Sequence, residues 1–315
     1  MNSKSAFIVT KPLQYINCLN ILDDNKKDLY IIDQFSDADN FIEKIKIHNG
    51  YYWENIFFFK TKELALLYVL LKKKNYYKIF LDSDFGIILR FLLSFLSNKL
   101  IAVYDEGFAS YAKNLRNPTT LKHKLLLLID KLQGGENWSG GCKNTSIIYL
   151  YHPRLFNNLV GNFNEKIIAP FKNIYSEHLL QIKELNEFFD DSSIFGELLN
   201  KDVIIYFSGY SIKLEYKKII DSYPGFIKVL KPHPNIKNLN KSDFDYYIEN
   251  NIPAELVVFR LEKIVNNLII IHEGSYGLID LPKSNKLIEH IMVSDDFYSY
   301  FKNFRKLLNE CNENN

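Results

Sequence analysis

Three short runs in this chain place proton-moving side chains on backbone of restricted shape. Tyr104-Asp-Glu-Gly107 offers two adjacent carboxylates, Asp105 and Glu106, the residue type from which a general base is made. Lys231-Pro-His-Pro234 holds one imidazole between Pro232 and Pro234, which fix the backbone on either side of His233 and exclude helix there. His272-Glu-Gly-Ser275 brings Gly274 and a hydroxyl, Ser275. Together a carboxylate, a histidine and a hydroxyl supply a base, an acid and an anion binder. Each run also has a plainer reading. Asp105 or Glu106 can cap a following helix, Ser275 can be an N-cap, and the proline-flanked histidine can be a stiff surface corner. Shared placement favours chemistry: each run ends an apolar stretch of the kind a parallel sheet buries, and open α/β sheets bind ligands at the carboxyl ends of their strands.

The elements that must position these runs follow one another as strand, then helix, repeatedly. Expected strands are Ala6–Thr10, Leu29–Asp33, Asn55–Phe59, Tyr77–Leu81, Leu100–Tyr104, Ser146–Tyr151 and Lys166–Ala169, then Val203–Phe207, Phe226–Leu230 and Leu268–His272. Pro12 suits the first turn of a helix through Leu22, Thr61 caps a leucine-rich helix, and Lys72–Lys74 suit that helix's C-terminus. Asp82 and Ser83 are placed to cap the apolar helix that follows them. Leu121–Leu132 reads as a helix, and Gln133–Thr145, with two Gly-Gly pairs, as a mobile loop. A last helix is expected over Phe297–Cys311. Alternating strands and helices argue for parallel sheets with right-handed crossovers. The expectation is an α/β chain of two Rossmann-like domains facing across a cleft: residues 1–170, a helical linker over 171–201, a second domain over 202–295, and a C-terminal helix over 296–315.

Some features compete with the three runs. His152-Pro153 also follows a strand, but lacks a preceding proline and comes just after the Gly-rich loop. Asp82-Ser-Asp84 resembles the DxD metal motif of many nucleotide-sugar transferases, yet an apolar helix begins directly after it, which favours capping over metal binding. Lys72–Lys74 reads first as a solvated helix end. Beside apolar helices it also suits a peripheral contact with the anionic face of an inner membrane. Walker A and GxGxxG patterns are both missing.

Composition narrows the class. Hydrophobic residues make up 47% and charged residues 24% of the 315, which predicts a packed globular chain of two ordinary domains. A net charge of +2 gives no electrostatic reason to expect nucleic acid as a partner. Cys18, Cys142 and Cys311 are far apart and odd in number, against a disulfide framework or a zinc site and for a reducing compartment. The first apolar run is only five residues, so no secretory leader is expected. The best candidate for a membrane span, Phe85–Leu96, contains Arg90 and is shorter than the roughly 20 apolar residues a bilayer needs. These points predict a cytoplasmic protein.

In their order and spacing, Tyr104-Asp-Glu-Gly107, Lys231-Pro-His-Pro234 and the later Gly274-Ser275 resemble the acidic-Gly, His-Pro and Ser motifs of bacterial sialyltransferases. The similarity is to the lipooligosaccharide sialyltransferase family and the related capsular polysialyltransferases. Thr10-Lys-Pro-Leu-Gln14 resembles the first strand–loop–helix of those enzymes, and Glu255 in Ile252-Pro-Ala-Glu255 stands where they carry a nucleotide-contacting glutamate. The resemblance implies a GT-B glycosyltransferase that takes a sialic acid or related nonulosonate from a CMP-activated donor. The acceptor would be a sugar hydroxyl of lipooligosaccharide, O-antigen or capsule. Inversion would occur in one displacement without a metal. It also implies roles: Asp105 or Glu106 as base, and His233 as acid or hydrogen-bond donor to the leaving phosphate. Ser275 and the backbone at Gly274 would bind that phosphate, with Ser208, Gly209, Lys231, Pro232 and Pro234 nearby, and Glu255 would meet the ribose or cytosine. Two departures stand out. The loop after the second domain's first strand, Ser208-Gly-Tyr-Ser-Ile212, has no carboxylate before Glu215, which favours Asp105 or Glu106 as base. The third motif has Ser275 followed by Tyr276, not a second hydroxyl. Competing readings are a Kdo transferase or glycerophosphotransferase using CMP- or CDP-linked donors, and a non-catalytic glycan- or nucleotide-binding protein of the same fold.

Overall fold

The computed structural model describes residues 4–35, 37–115, 120–161, 163, 165–173, 192–209, 214–233, 236, 243–249, 252–279, 281, 284–292 and 295–313. It divides into two compact units, Met1–Glu184 and Leu185–Asn315. Pro234 lies outside the described residues.

The first unit is built on a parallel sheet of seven strands: β1 (Lys4–Val9), β2 (Lys26–Ile32), β3 (Asn55–Phe59), β4 (Tyr76–Leu81), β5 (Leu100–Tyr104), β6 (Thr145–Leu150) and β7 (Ile167–Pro170). Their spatial order is β3-β2-β1-β4-β5-β6-β7, so the direction of travel reverses between β1 and β4. Helices cover both faces of the sheet, so the inner parts of the central strands are apolar on both sides: Ala6, Phe7, Ile8 and Val9 are all fully buried. On one face Phe7 stacks on Phe80 at 4.1 Å and meets Trp53 edge-on. On the other, Ala65, Leu66, Val69, Leu89 and Leu93 close over Ile8, Ile32, Ile79 and Leu81.

Helix ends follow their sequences in part. Pro12 opens α1 (Pro12–Leu19), and α2 is Ala38–His48. Thr61 caps α3 (Lys62–Leu71), its hydroxyl accepting from Leu64 N at 3.3 Å. The apolar helix α4 (Ile87–Ser94) is not capped by Asp82 or Ser83 as expected. It begins after Gly86, at φ 137°, and has no side-chain cap. Both carboxylates of Asp82-Ser-Asp84 are engaged elsewhere. Asp84 accepts from Gly140 N, Cys142 N and Thr145 Oγ1 at 2.8, 2.9 and 2.6 Å.

The expected mobile loop after α5 (Leu121–Leu132) is a packed knob instead. Gly135 and Cys142 form a bridge, Trp138 is buried, and Arg90 of α4 reaches in to donate to Glu136 O at 2.6 Å while pairing with Asp130 at 3.2 Å. Glycine composition favours flexibility only where no buried charge needs the backbone for partners. Here Asp84 and Arg90 do.

The second unit contains α6's successor elements on its own sheet; α6 itself (Pro153–Leu159) belongs to the first. Five parallel strands, β8 (Asp202–Phe207), β9 (Ile227–Lys231), β10 (Tyr246–Tyr247), β11 (Asn267–His272) and β12 (Leu287–Ile291), lie in the order β10-β9-β8-β11-β12. Direction again reverses beside the first strand, between β8 and β11. Among the described residues its helices are α7 (Ser192–Glu197), α8 (Tyr216–Asp221), α9 (Ala254–Ile264) and α10 (Asp295–Glu313). Both edge strands escape an apolar-run reading: β10 is two residues long, and β12 reads Leu-Ile-Glu-His-Ile.

Candidate functional site

In the first unit the reversal point gathers polar side chains at the carboxyl edge of the sheet. Asp82 follows β4, Thr10 and Lys11 follow β1, and Asp105 and Glu106 follow β5. Asp82 Oδ2 accepts from Thr10 Oγ1 at 3.1 Å and from Gln14 Nε2 at 3.0 Å, while Lys62 of α3 pairs with Oδ1. Three residues along α1, Asn17 donates to the carbonyl of Asp105 at 2.6 Å. One helix face, at the spacing that puts side chains side by side, therefore ties down the ends of both β4 and β5.

The two adjacent carboxylates have different surroundings. Asp105 is buried and accepts from Gly107 N at 2.8 Å, from Tyr151 N at 3.3 Å and from the Tyr111 hydroxyl. Burial pushes its carboxyl up to about 6, against the pull of the Tyr111 and Gly107 bonds. Gly107 takes φ 104°, a conformation a side chain would resist, and this lets its N–H turn back onto Asp105. Glu106 is half-buried, and its N–H donates to Ser110 Oγ at 2.8 Å. Burial raises the Glu106 carboxyl to about 7, the negative charge of Asp82 and then Asp105 adding to the rise and Lys11 and Lys62 opposing it. Asp105 shapes the turn, and Glu106 is left with a carboxyl poised near neutrality.

A stability signature follows from that value. The folded Glu106 holds its proton more tightly than the ordinary carboxyl near 4.5. Its contribution to stability is present below that pH and is lost as pH rises through about 7. Glu106→Gln, which stays neutral, is expected to unfold at a higher temperature than the parent at pH 8 and at a similar one at pH 4. Thermal melts at the two values, followed by circular dichroism, read this directly.

His152 begins the loop after β6, its N–H donating to the Tyr111 hydroxyl at 3.2 Å, so Tyr111 links it to Asp105. Burial lowers the His152 imidazole to about 4, which keeps the ring neutral at physiological pH. Sequence reading ranked it second and did not place it beside Asp105.

In the second unit, Ser208 joins the loops after β8 and β9. Its N–H donates to Lys231 O at 3.1 Å, and its hydroxyl accepts from His233 N at 3.2 Å. The end of β8 thus fixes the start of the His-Pro turn. Lys231 is buried, donates to Pro232 O at 3.1 Å, and is drawn down to about 7 by burial, with Glu255 and Glu249 pulling the other way. Glu255 sits in the first turn of α9, buried against Gly277, where a Cβ would come within 2.1 Å of its Oε1. Lys231, Glu255 and the loop after Ser275 are therefore neighbours, although Lys231 and Gly277 are 46 positions apart in the chain.

The loop carrying Gly274 and Ser275 is held from behind. His272 Nδ1 accepts from Gly274 N at 3.1 Å and Ser275 N at 3.3 Å, which leaves its Nε2–H to donate to Glu289 at 2.8 Å. Burial would raise the Glu289 carboxyl, but bonds from Arg305 and then His272 draw it down to about 2. Arg305 of α10 also donates to Leu278 O and Ile279 O at 2.9 and 2.8 Å. Glu273 turns the other way and accepts from the Tyr206 hydroxyl and from Gly209 N, the latter at 3.1 Å. The Gly274 and Ser275 amides are thus occupied within the loop.

Sequence reading missed Gln14, Asn17, Lys62, Tyr111, Glu273 and Arg305 as organisers of these loops. The signal available for Lys62 and Gln14 was the reversal of strand order, which only topology reveals.

No protein-family model matches the chain, and no curated protein matches it. Among solved structures it is similar to HepE of Anabaena, crystallised in complex with UDP and glucose, at 9% identity and a TM-score of 0.49, covering 96% of this chain and 89% of that one. At that level of likeness, the fold assignment rests on this chain's own two parallel sheets and their strand orders.

Proposed function

We propose that the protein is an inverting glycosyltransferase that moves a sialic acid or related nonulosonate from its CMP-activated donor to a sugar hydroxyl of a bacterial surface glycan. The observation that carries the reading is Glu106: a half-buried carboxylate at the carboxyl edge of a parallel sheet, held at about 7, beside an Asp105 whose oxygens are already engaged. A base poised near the working pH is what deprotonation of a hydroxyl acceptor requires. In this reading Glu106 takes the acceptor proton as that oxygen bonds to the anomeric carbon. The bond from that carbon to the CMP phosphate oxygen breaks, and the phosphate leaves with the electron pair. His233, its backbone fixed by Pro232 and by Ser208, donates to the departing phosphate, where charge builds in an oxocarbenium-like transition state. Ser275 Oγ meets the same phosphate, and Glu255 serves the nucleoside side. The choice of CMP and of a nonulosonate rests on the order and spacing of the three motifs. No metal enters this mechanism, so chelation is expected to leave the rate unchanged.

The test is release of CMP from CMP-sialic acid in the presence of a galactoside acceptor, beside CMP-Kdo and CDP-glycerol as alternative donors. Turnover with the first, reduced about a hundredfold or more in His233→Ala, supports the reading. No turnover of any CMP-linked nonulosonate overturns it. Turnover of CMP-Kdo or CDP-glycerol alone assigns the chain to one of those transfers instead, and nucleotide binding without turnover of any donor assigns it to a non-catalytic role.

A further inference from the structure

Helices α3 and α4 sink one apolar face into the core of the first unit. They pack against each other, and α4 packs against α5, to which Arg90 ties it through Asp130. Each helix also presents a second apolar stripe to the outside. Leu67 and Leu71 stand out from α3 and Phe91 from α4, with Phe95 edge-on to Phe91 at 5.0 Å. On α5 the exposed leucines recur at helical spacing from Leu121 to Leu132, which are 84% and 79% exposed. An apolar face spread over three adjacent helices is more than the scattered surface leucines any protein carries.

Charge along these helices is mainly positive. Lys72, Lys73 and Lys74 follow α3, and Lys122, Lys124 and Lys131 are exposed along α5. The acidic residues of the three helices are Glu63, half-buried, and Asp130, buried beneath Arg90. None of the three helices carries a fully exposed carboxylate.

We propose that this face is a docking surface for an anionic membrane, its leucines and phenylalanines entering the headgroup–acyl boundary and its lysines meeting lipid phosphates. Apolar side chains ringed by lysine are what an interfacial helix needs, and long lysine stems can reach outward while their methylenes stay against the apolar layer. A protein partner fits less well, because leucine and lysine are poor in binding hot spots and interface cores. Spanning is excluded by length: α5 has 12 residues, about 18 Å of helix, and none of the described helices is long and apolar enough to cross a bilayer. The helices lie along the surface. Its test needs no substrate, so it stands or falls independently of the proposed transfer chemistry.

The full chain is floated with vesicles of phosphatidylcholine alone or of equimolar phosphatidylcholine and phosphatidylglycerol. Binding to the anionic vesicles and not to the neutral ones, weakening as salt is raised, is the expected result. Replacing Lys72, Lys73 and Lys74 together by Gln is expected to lower the partition coefficient about a hundredfold. Leu125→Ser with Leu132→Ser is expected to lower it at least about tenfold, with the unfolding midpoint unchanged because both side chains are exposed. Failure to float with anionic vesicles overturns the proposal, as does equal flotation of the parent and both variants. A concentration-dependent dimer that the leucine variant dissociates, without vesicle binding, assigns the face to a second copy of the chain and overturns it equally.

Discussion

Glu106→Gln is expected to transfer sugar about 10²–10⁴-fold more slowly than the parent, with its fold intact. Glutamine keeps the shape of the side chain and removes the lone pair that would take the acceptor proton. The parent rate should fall as pH drops below about 7, where Glu106 becomes protonated, and that acid limb should vanish from the residual activity of the variant. Asp105→Asn makes the necessary contrast. Its carboxylate accepts from two amides and a tyrosine hydroxyl, and an amide nitrogen cannot replace an accepting oxygen there. That variant should lose stability together with rate. If Asp105→Asn lost more activity than Glu106→Gln while melting like the parent, the base would be Asp105.

The largest effect on stability is expected at a buried ion pair that takes no part in the proposed chemistry. Asp130→Ala should cost about 3–5 kcal/mol, because it leaves the fully buried Arg90 guanidinium without its counter-charge. The carbonyls of Asp84 and Glu136 still accept from Arg90, at 3.2 and 2.6 Å, but carbonyl dipoles do not neutralise a charge. Urea unfolding measures the loss. The double variant Arg90→Met/Asp130→Ala should recover much of it, since an apolar side chain of similar length needs no counter-charge. Two separate losses that simply add would show that the pair is not what holds the knob after α5.

The outline of the fold was legible because buried parallel strands advertise themselves. Ile8, Ile79, Val103 and Ile270 sit in runs that no surface segment would carry, and Thr61 and Pro12 marked helix starts by mechanisms that act within one turn. What escaped depended on partners distant in sequence. Nothing near Asp82 says that Thr10, Gln14 and Lys62 will claim it, so capping α4 was the best local reading, and it failed. Glycines around 134–141 were read as freedom because Asp84 and Arg90, which pin that backbone, lie more than forty residues earlier. Edge strands β10 and β12 were invisible because one is minimal and the other carries charge on the face it turns inward. The candidate site divides the same way. Its motif residues were visible as strand ends, while the distinction between Asp105 and Glu106 came from the hydrogen bonds of one and the half-exposure of the other.

Glu289 has a further consequence, for how the second sheet closes. β12 is an edge strand, where pairing is least constrained and a slip of one residue is most easily tolerated. In the observed register Ile291 lies opposite His272, and Glu289, two residues back on the same face, meets both His272 and Arg305. A slip by one residue would turn Glu289 to the other face. It would strand Arg305 and the His272 ring and put His290 or Ile288 where a carboxylate is required. The charge that looks out of place in an apolar strand therefore selects one alignment from several of similar hydrophobic merit. It works as a key for assembly before it works as a brace.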